Sequence, residues 1–167
     1  MIYEASDDSF LLKKHIKEYA KGKVLDIGTG SGILARESLK YTKNVVACDV
    51  QDLKFKDLKF IKSDLFENIK GKFDLIIFNP PYLPKDERED LESALTTTGG
   101  EKGYEVIERF LKDLKKHLKK NGKCLIVFSS LTDKDKVDEL IKENKLEFNI
   151  LEKKKLFFEE LYVYLIF

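Results

Sequence analysis

A short apolar run that leads directly into a glycine-rich turn constrains the fold of this chain more than any other feature. The run is Lys23-Val24-Leu25-Asp26-Ile27, and the turn that follows it is Gly28-Thr29-Gly30-Ser31-Gly32. Apolar residues at helical spacing then predict a helix over residues 31–41. A buried strand, a glycine turn and a helix in this order form the first half of a βαβ unit, from which parallel sheets covered by helices are built.

The rest of the sequence repeats this alternation of short apolar runs and amphipathic segments. Further strands are predicted at 44–48, 58–62, 73–78 and 123–128, and further helices at 7–21, 103–120 and 133–144. The helix over 103–120 is expected to stop at Asn121-Gly122. Two final apolar runs, 146–151 and 161–167, have no helix between them and are expected to pair in an antiparallel manner. The predicted fold class is α/β, a mostly parallel Rossmann-like sheet with helices on both faces and an antiparallel C-terminal hairpin at one edge.

The length and charge of the chain bound its organisation. A single domain over residues 1–167 is expected, with an N-terminal helical segment at 1–22 and a long loop without periodicity, expected to contact substrate, at 83–102. The 31 Lys and Arg residues against 30 Asp and Glu residues leave a net charge of +1, which disfavours nonspecific binding to nucleic acid. No apolar stretch has the ~20 residues of a membrane span, and Cys48 and Cys124 lie in apolar runs typical of reduced core cysteines. We therefore expect a cytoplasmic protein without a metal site.

Polar residues follow four successive predicted strands, at the points where parallel strands present their carboxyl ends to one crevice. They are the turn beginning at Gly28, Asp49 after the second strand, Asp64 after the third and Asn79 after the fourth. Asp49 is placed to accept hydrogen bonds from both hydroxyls of a ribose, and Asp64 from an exocyclic adenine amine. Ile33 stands where a dinucleotide-binding turn needs a small residue, which counts against a nicotinamide or flavin cofactor. The four positions together predict a nucleoside-type cofactor, although each acid alone is equally compatible with a solvated strand end.

The tetrapeptide Asn79-Pro80-Pro81-Tyr82 carries the most chemical information. Two prolines alone are also compatible with a turn that ends a strand. However, they remove two amide donors and leave carbonyl acceptors at the crevice, which suits the hydrogens of an amino group. Asn79 Oδ1 and the Pro80 carbonyl are expected to hold the two hydrogens of a planar NH2 group, while the Tyr82 ring packs against it. We therefore predict that Asn79, Pro80 and Tyr82 carry the reaction and that no side chain acts as a nucleophile.

These motifs resemble those of class I S-adenosylmethionine-dependent methyltransferases that act on nitrogen, and more narrowly those of the HemK family. Three other segments, 3–12, 99–106 and 160–164, resemble the archaeal and eukaryotic branch of that family. Members of this branch methylate the glutamine amide N5 of the Gly-Gly-Gln motif in peptide-chain release factors. Asn-Pro-Pro-Tyr alone is shared with adenine-N6 methyltransferases of nucleic acid. Adenine and protein lysine are therefore alternative acceptors, and a non-catalytic cofactor-binding module is a further alternative.

The resemblance implies a seven-stranded methyltransferase sheet, S-adenosyl-L-methionine as the cofactor, and roles for the matching residues. The implied cofactor contacts are Ser9, Asp26, Gly28, Gly30, Asp49, Asp64, Leu65 and Asn79. The implied substrate contacts are Asn79, Pro80, Pro81, Tyr82 and Leu83. One departure is that residues 50–57 are too few for the helix that the family usually places between its second and third strands.

The resemblance also implies partners. A release factor is expected as the protein substrate, and nucleic acid is not expected as a direct substrate. Archaeal and eukaryotic relatives associate with a small zinc-binding activator subunit that covers an apolar edge, so a heterodimer is expected. The candidate contact is the apolar stretch of Leu53, Phe55, Leu58 and Phe60 near the third strand.

Overall fold

The computed structural model describes residues 7–85, 94 and 97–167, so the expected loop at 83–102 and the first six residues lie partly or wholly outside the described residues. The helices and strands follow one another in the order α1 (Asp7–Tyr19), β1 (Lys23–Ile27), α2 (Ile33–Leu39), β2 (Asn44–Asp49), β3 (Lys59–Lys62), β4 (Phe73–Phe78), α3 (Glu105–His117), β5 (Leu118–Ser129), α4 (Lys134–Glu143), β6 (Phe148–Lys155) and β7 (Glu160–Ile166). Every strand predicted from the sequence is present. None of the helices in this described part of the chain has the length and apolar character that a membrane crossing requires.

The strands form one seven-stranded sheet in the order β3-β2-β1-β4-β5-β7-β6. The five strands from β3 to β5 are parallel, whereas β7 is antiparallel to both β5 and β6. This arrangement confirms the predicted C-terminal hairpin at one edge. The chain runs outward from β1 through β2 to β3, and then returns to β4 on the other side of β1. A crevice opens at such a reversal, outside the carboxyl ends of the strands.

Helices cover both faces of the sheet, as predicted, because alternate side chains of each central strand point to opposite sides. In β4, Leu75 and Ile77 pack in one apolar cluster with α1 and α2, while Ile76 and Phe78 pack in another with α3 and α4. The second cluster also contains Cys48 and Cys124, which are buried free thiols. Burial raises the pKa of both thiols, in agreement with their interpretation as core residues.

The end of α3 differs from the prediction, since the helix stops at His117 and not at Asn121-Gly122. Leu118 already pairs with Phe73 in the parallel ladder between β5 and β4, so sheet pairing replaces the last predicted helical turn. Gly122 therefore lies inside β5, where a side chain would clash, because an added Cβ atom would stand 2.7 Å from the Phe73 carbonyl oxygen. Gly122 allows the backbones of β5 and β4 to approach closely, and it does not end a helix.

The connection between β2 and β3 is short and open. Residues 50–58 are all described and contain no helix, as their number predicted. β3 is the edge strand of the sheet and none of its side chains is fully buried. This edge differs from β1 and β4, which lie at the centre and are almost wholly buried.

Candidate active site

A cleft of about 610 Å³ opens at the carboxyl ends of β1, β2, β3 and β4. This volume lies in the range of pockets that enclose small molecules. The sequence-predicted residues that line the cleft are Gly28, Gly30, Asp49, Asp64, Leu65, Asn79, Pro80, Pro81, Tyr82 and Leu83. Ser9 and Asp26, also predicted as ligand contacts, do not line it; they lie buried directly behind its wall.

The glycine-rich turn forms the floor of the cleft. Gly28 and Gly30 have φ values of 63° and 50°, which belong to the left-handed region that favours glycine. The turn is closed by hydrogen bonds from the Gly32 amide to the Thr29 carbonyl (2.8 Å) and from the Thr29 amide to the Cys48 carbonyl (3.0 Å). Because Gly28 carries no side chain, the floor presents bare backbone to a ligand.

Asp26 lies beneath this turn and is fully buried. Its Oδ2 atom accepts hydrogen bonds from the Thr29 hydroxyl (2.7 Å) and from the Ala35 amide (3.0 Å), which ties the turn to the start of α2. Its Oδ1 atom is buried and has no hydrogen-bond partner among the described residues. Burial raises the pKa of Asp26 to about 7, against the lowering effect of the Thr29 and Ala35 hydrogen bonds and with a further increase from the charge of Asp49.

Asp49, at the end of β2, has a fixed carboxylate at the cleft wall. Its Oδ2 atom accepts from the Gly30 amide and its Oδ1 atom from the Gln51 amide, both at 3.0 Å. Each carboxylate oxygen has a second lone pair, so both remain able to accept a hydroxyl of a ligand. The backbone thus holds Asp49 in one orientation before any ligand arrives.

Asp64 and Leu65 follow β3 on the same side of the cleft. Asp64 Oδ2 accepts from the guanidinium of Arg109 in α3 at 2.7 Å, and both side chains are substantially exposed. Leu65 has a φ of 47°, a strained conformation for a residue other than glycine. The turn is held by the Ser63 hydroxyl, which donates to the Leu65 carbonyl and accepts from the Asn68 amide. Strain of this kind concentrates at functional sites, so it favours a ligand-binding role for Leu65.

The Asn79–Tyr82 wall is anchored from two directions. Asn79 Nδ2 donates to Ser9 Oγ at 3.0 Å, and the Tyr82 hydroxyl donates to Asp8 Oδ2 at 2.9 Å. Both partners belong to the first turn of α1 and are buried. From the other side, the Thr132 hydroxyl donates to the Tyr82 carbonyl. The wall is therefore fixed by hydrogen bonds to residues distant in the sequence.

Two acceptors remain available at this wall. The hydrogen bond from the Asn79 amide nitrogen to Ser9 fixes the orientation of the Asn79 side chain, and its Oδ1 atom is available to accept from a ligand. The Pro80 carbonyl accepts no backbone hydrogen bond from the described residues. Neither proline of the motif has an amide hydrogen. The wall consequently presents two oxygen acceptors and no proline amide donor, an arrangement that suits an NH2 group.

Three residues of the site were not identified as such from the sequence. They are Asp8, Arg109 and Thr132, which hydrogen-bond to Tyr82, to Asp64 and to the Tyr82 carbonyl, respectively. Asp8 and Arg109 line the cleft, and Thr132 is fully buried behind it. No local pattern could have indicated their roles, because each acts through a partner 45 to 74 residues away in the sequence.

Comparison with known proteins identifies related sequences. Residues 5–158 match the family described as methyltransferase small domain. A protein of Methanocaldococcus jannaschii assigned as a protein N5-glutamine methyltransferase is 37% identical, over 97% of this chain and 89% of that protein. The release factor glutamine methyltransferase of Rhodopirellula baltica is 29% identical over 78% of this chain, which spans only about half (51%) of that protein's length.

Comparison with solved structures agrees with the fold. A chain in the E. cuniculi Mtq2–Trm112 complex, described as responsible for methylation of the eRF1 translation termination factor, superposes with a TM-score of 0.81. The match covers 98% of this chain and 96% of that one at 24% identity. The likeness extends over the complete sheet and its helices.

Proposed function

The chain belongs to the methyltransferase small domain family, within the HemK group of protein glutamine methyltransferases, and from this premise we propose its reaction. It transfers a methyl group from S-adenosylmethionine to the side-chain amide nitrogen of the glutamine in the Gly-Gly-Gln motif of a peptide-chain release factor. The observation that carries this proposal is the Asn79–Tyr82 wall, whose acceptors adjoin the Gly28 turn and the Asp49 carboxylate in one cleft.

The cleft residues fit S-adenosylmethionine. Asp49 is fixed with lone pairs available to the ribose hydroxyls, and Asp64 with Leu65 offers an acceptor and an apolar contact to the adenine. Asp26 would act from beneath the glycine turn: its Oδ2 atom holds the turn against which the methionine moiety would lie, and its Oδ1 atom has no partner among the described residues. When bound, the cofactor supplies an electrophilic methyl group on a positively charged sulfur.

The glutamine amide nitrogen is a weak nucleophile, and residues of the protein would compensate for this. The lone pair of an amide nitrogen is delocalised into its carbonyl, so the nitrogen attacks poorly unless electron density is returned to it. Asn79 Oδ1 and the Pro80 carbonyl would accept the two amide hydrogens, which both orients the nitrogen and increases its electron density. Ser9 keeps the Asn79 amide in the required orientation, and Asp8 keeps the Tyr82 ring in place as a packing wall. The amide proton can leave after transfer, so no general base is required to begin.

The nature of the acceptor is the second part of the proposal. An adenine N6 amine is also a planar NH2 group and would satisfy the same two acceptors, whereas a lysine amine is not planar. The near-zero net charge of +1 provides little attraction for a phosphate backbone. Together with the similarity to glutamine methyltransferases, this favours a protein glutamine over a base.

We also propose a small zinc-binding partner subunit, forming a heterodimer, as the resemblance to archaeal and eukaryotic relatives implies. The edge strand β3 has an open side on which such a subunit could pair. Phe55 and Phe60 form a half-buried aromatic pair with ring centroids 5.6 Å apart beside this edge, and Leu53 and Leu58 are half-buried nearby. An enzyme acting on a translation factor would work in the cytoplasm.

The test is methyl transfer from labelled S-adenosylmethionine, with and without a co-expressed partner subunit. The acceptors are a release factor from the same organism, the same factor with the motif glutamine changed to alanine, and single- and double-stranded DNA and RNA. We expect label on the unmodified release factor only. Label that persists after loss of the motif glutamine, or label on nucleic acid, would overturn the proposed acceptor.

A further inference from the structure

The tip of the β6–β7 hairpin, residues Leu156–Glu159, exposes two adjacent phenylalanines. Phe157 is 93% exposed and Phe158 is 87% exposed, whereas other large apolar side chains in the described residues are at most 51% exposed. The tip is an ordered turn, closed by a hydrogen bond of 2.8 Å from the Leu156 amide to the Glu159 carbonyl. Exposed aromatic pairs of this kind are typical of contact surfaces and not of a solvated turn.

The hairpin tip lies at the same edge of the sheet as the cleft. Since β7 runs antiparallel to β5, its start is level with the carboxyl end of β5, where Ser129 pairs with Leu161. The cleft opens at the carboxyl ends of β1 to β4, which are parallel to β5. The hairpin tip consequently lies at the edge of the sheet from which a substrate must enter the cleft.

Hydrogen bonds connect the hairpin tip to the wall that holds the acceptor. The Ser129 hydroxyl donates to the carboxylate of Glu159 in the tip. The Thr132 amide in turn donates to the Ser129 carbonyl at 2.9 Å, and the Thr132 hydroxyl donates to the Tyr82 carbonyl. These bonds fix the tip relative to Tyr82, so a substrate bound at the tip would have a defined position relative to the wall.

We propose that the hairpin tip is a docking site for an apolar patch on the polypeptide substrate, next to the segment whose glutamine enters the cleft. This inference rests on the proposed function and adds to it a contact outside the catalytic residues. A cleft that receives one side chain cannot by itself distinguish a release factor from other proteins that carry an exposed glutamine. Two phenylalanines beside its entrance supply such a contact, because aromatic residues contribute most to binding at interfaces.

The surroundings of the tip favour a polypeptide over a nucleic acid. The rings of Phe157 and Phe158 are T-shaped, with centroids 4.9 Å apart and planes at 72°, so they do not form parallel faces for successive bases. Nearby lysines are balanced by acids: Lys154 is paired with Asp7 at 2.9 Å, and acidic residues flank the lysine run on both sides. The tip therefore lacks the net positive charge that a phosphate backbone requires.

The size of the tip also argues against a second copy of this chain as the occupant. Two phenylalanine side chains bury about 300–500 Å² together, less than the about 800 Å² per partner of a stable protein interface. An area of this size suits an additional contact of a substrate that is also held in the cleft.

The experiment uses the full chain with the double substitution Phe157→Ser/Phe158→Ser. Both side chains are exposed, so the substitution removes no core packing. The matched control is Phe167→Ser, which changes a partly exposed phenylalanine at the opposite end of the same hairpin. The measured quantities are KM and kcat for the release factor, the affinity for S-adenosylhomocysteine, binding to an oligonucleotide, and the oligomeric state.

We expect the double substitution to raise KM for the release factor about tenfold or more, with kcat and S-adenosylhomocysteine affinity unchanged, while Phe167→Ser changes none of them. An unchanged KM in an enzyme that methylates the release factor would overturn the docking site and leave the proposed function intact. A wild-type chain that does not methylate the release factor would overturn the proposed function and this substrate with it. Loss of oligonucleotide binding, or conversion of a dimer to a monomer, would assign the tip to nucleic acid or to a second copy and likewise reject the proposal.

Discussion

The two ends of the cleft are built in different ways. At the end proposed to bind the acceptor, residues Asn79–Tyr82 (the acceptor end), the wall is held by buried hydrogen-bond partners on α1 and by Thr132. At the end proposed to bind the nucleoside, residues Asp49–Leu65 (the nucleoside end), the sheet ends in the short edge strand β3, and the Asp64–Arg109 ion pair is exposed. The difference fits the proposed roles: orienting an amide nitrogen requires accurate placement, whereas a base and a ribose would be held by surface area and a few acceptors.

The position of each end in the sheet explains how this difference arises. β4 is a central strand paired on both sides, and the wall follows directly from its buried end. Within the described part of the chain β3 pairs with β2 alone, and the nine residues 50–58 that precede it contain no helix. The nucleoside end consequently depends on backbone hydrogen bonds to Asp49 and on local turns for its shape.

The largest effect should come from Asn79→Ala, at the acceptor end. The substitution removes the Oδ1 acceptor for the substrate amide and the hydrogen bond to Ser9. We expect kcat to fall by about 10²–10³-fold, the cost of losing one oriented hydrogen-bonding group at a reacting centre. Methyl transfer to the release factor under saturating substrate measures this effect.

A matched control is Asn149→Ala, because Asn149 is an exposed asparagine on β6. Its rate should equal that of the wild type. If Asn79→Ala retained the full rate while binding cofactor normally, the acceptor end would lose its proposed role, and the comparison between the two ends would be reduced to a difference in rigidity.

An intermediate effect should come from Asp26→Asn and should depend on pH. The pKa of Asp26 is about 7 in the folded protein, chiefly because of burial, and about 4 in an unfolded chain. Between these values the folded state binds more protons than the unfolded state, so the free energy of unfolding falls as pH rises. Titration of Asp26 alone should lower the free energy of unfolding of the wild type by about 2 kcal/mol between pH 5 and pH 7. Asp26→Asn, which stays neutral, should lack this decline in urea unfolding of the ligand-free protein.

Asp74→Asn provides the control for this measurement. Partial burial alone would raise the pKa of Asp74, but hydrogen bonds from Lys119 and from the Lys23 amide leave it below its ordinary value. Its stabilising contribution is therefore lost only as pH falls through the acidic range below about 4. The free energy of unfolding of Asp74→Asn should therefore change between pH 5 and pH 7 as that of the wild type does. If the free energy of unfolding of Asp26→Asn and of the wild type had the same pH dependence, the pKa of Asp26 would not be raised in the folded protein.

The strands and the motif ends could be predicted from the sequence because both depend on local patterns. Short apolar runs between amphipathic segments identified each strand, and Asp49, Asp64 and Asn79 could be placed at one edge because parallel strands end together. The anchoring contacts could not be predicted, since Asp8–Tyr82 and Asp64–Arg109 join residues far apart in the sequence. The predicted end of α3 was wrong for the same reason, because pairing of Leu118 with Phe73 outweighed the local stop signal at Asn121-Gly122.

The smallest effect comes from deleting one hydrogen bond at each end, which tests the comparison directly. Tyr82→Phe removes a hydroxyl that donates to Asp8 at 2.9 Å, and Arg109→Ala removes a guanidinium that donates to Asp64 at 2.7 Å. Asp8 is 4% exposed, so its carboxylate would stay buried after losing the Tyr82 hydroxyl, and we expect a loss of about 1–2 kcal/mol in the free energy of unfolding. The exposed Asp64 would be solvated, so Arg109→Ala should cost at most about 0.5 kcal/mol.

Tyr162→Phe serves as the control for losing a tyrosine hydroxyl, because its partner Glu160 lies two residues away on the same strand. Its hydrogen bond does not join separate elements, so its loss should cost less than that of the Tyr82 hydroxyl. Salt separates the two ends further: high ionic strength screens an exposed ion pair but not a buried hydrogen bond. Adding salt should therefore reduce the effect of Arg109→Ala and leave that of Tyr82→Phe unchanged. Equal losses for the two substitutions, with equal salt dependence, would mean that the acceptor end is no more firmly held than the nucleoside end.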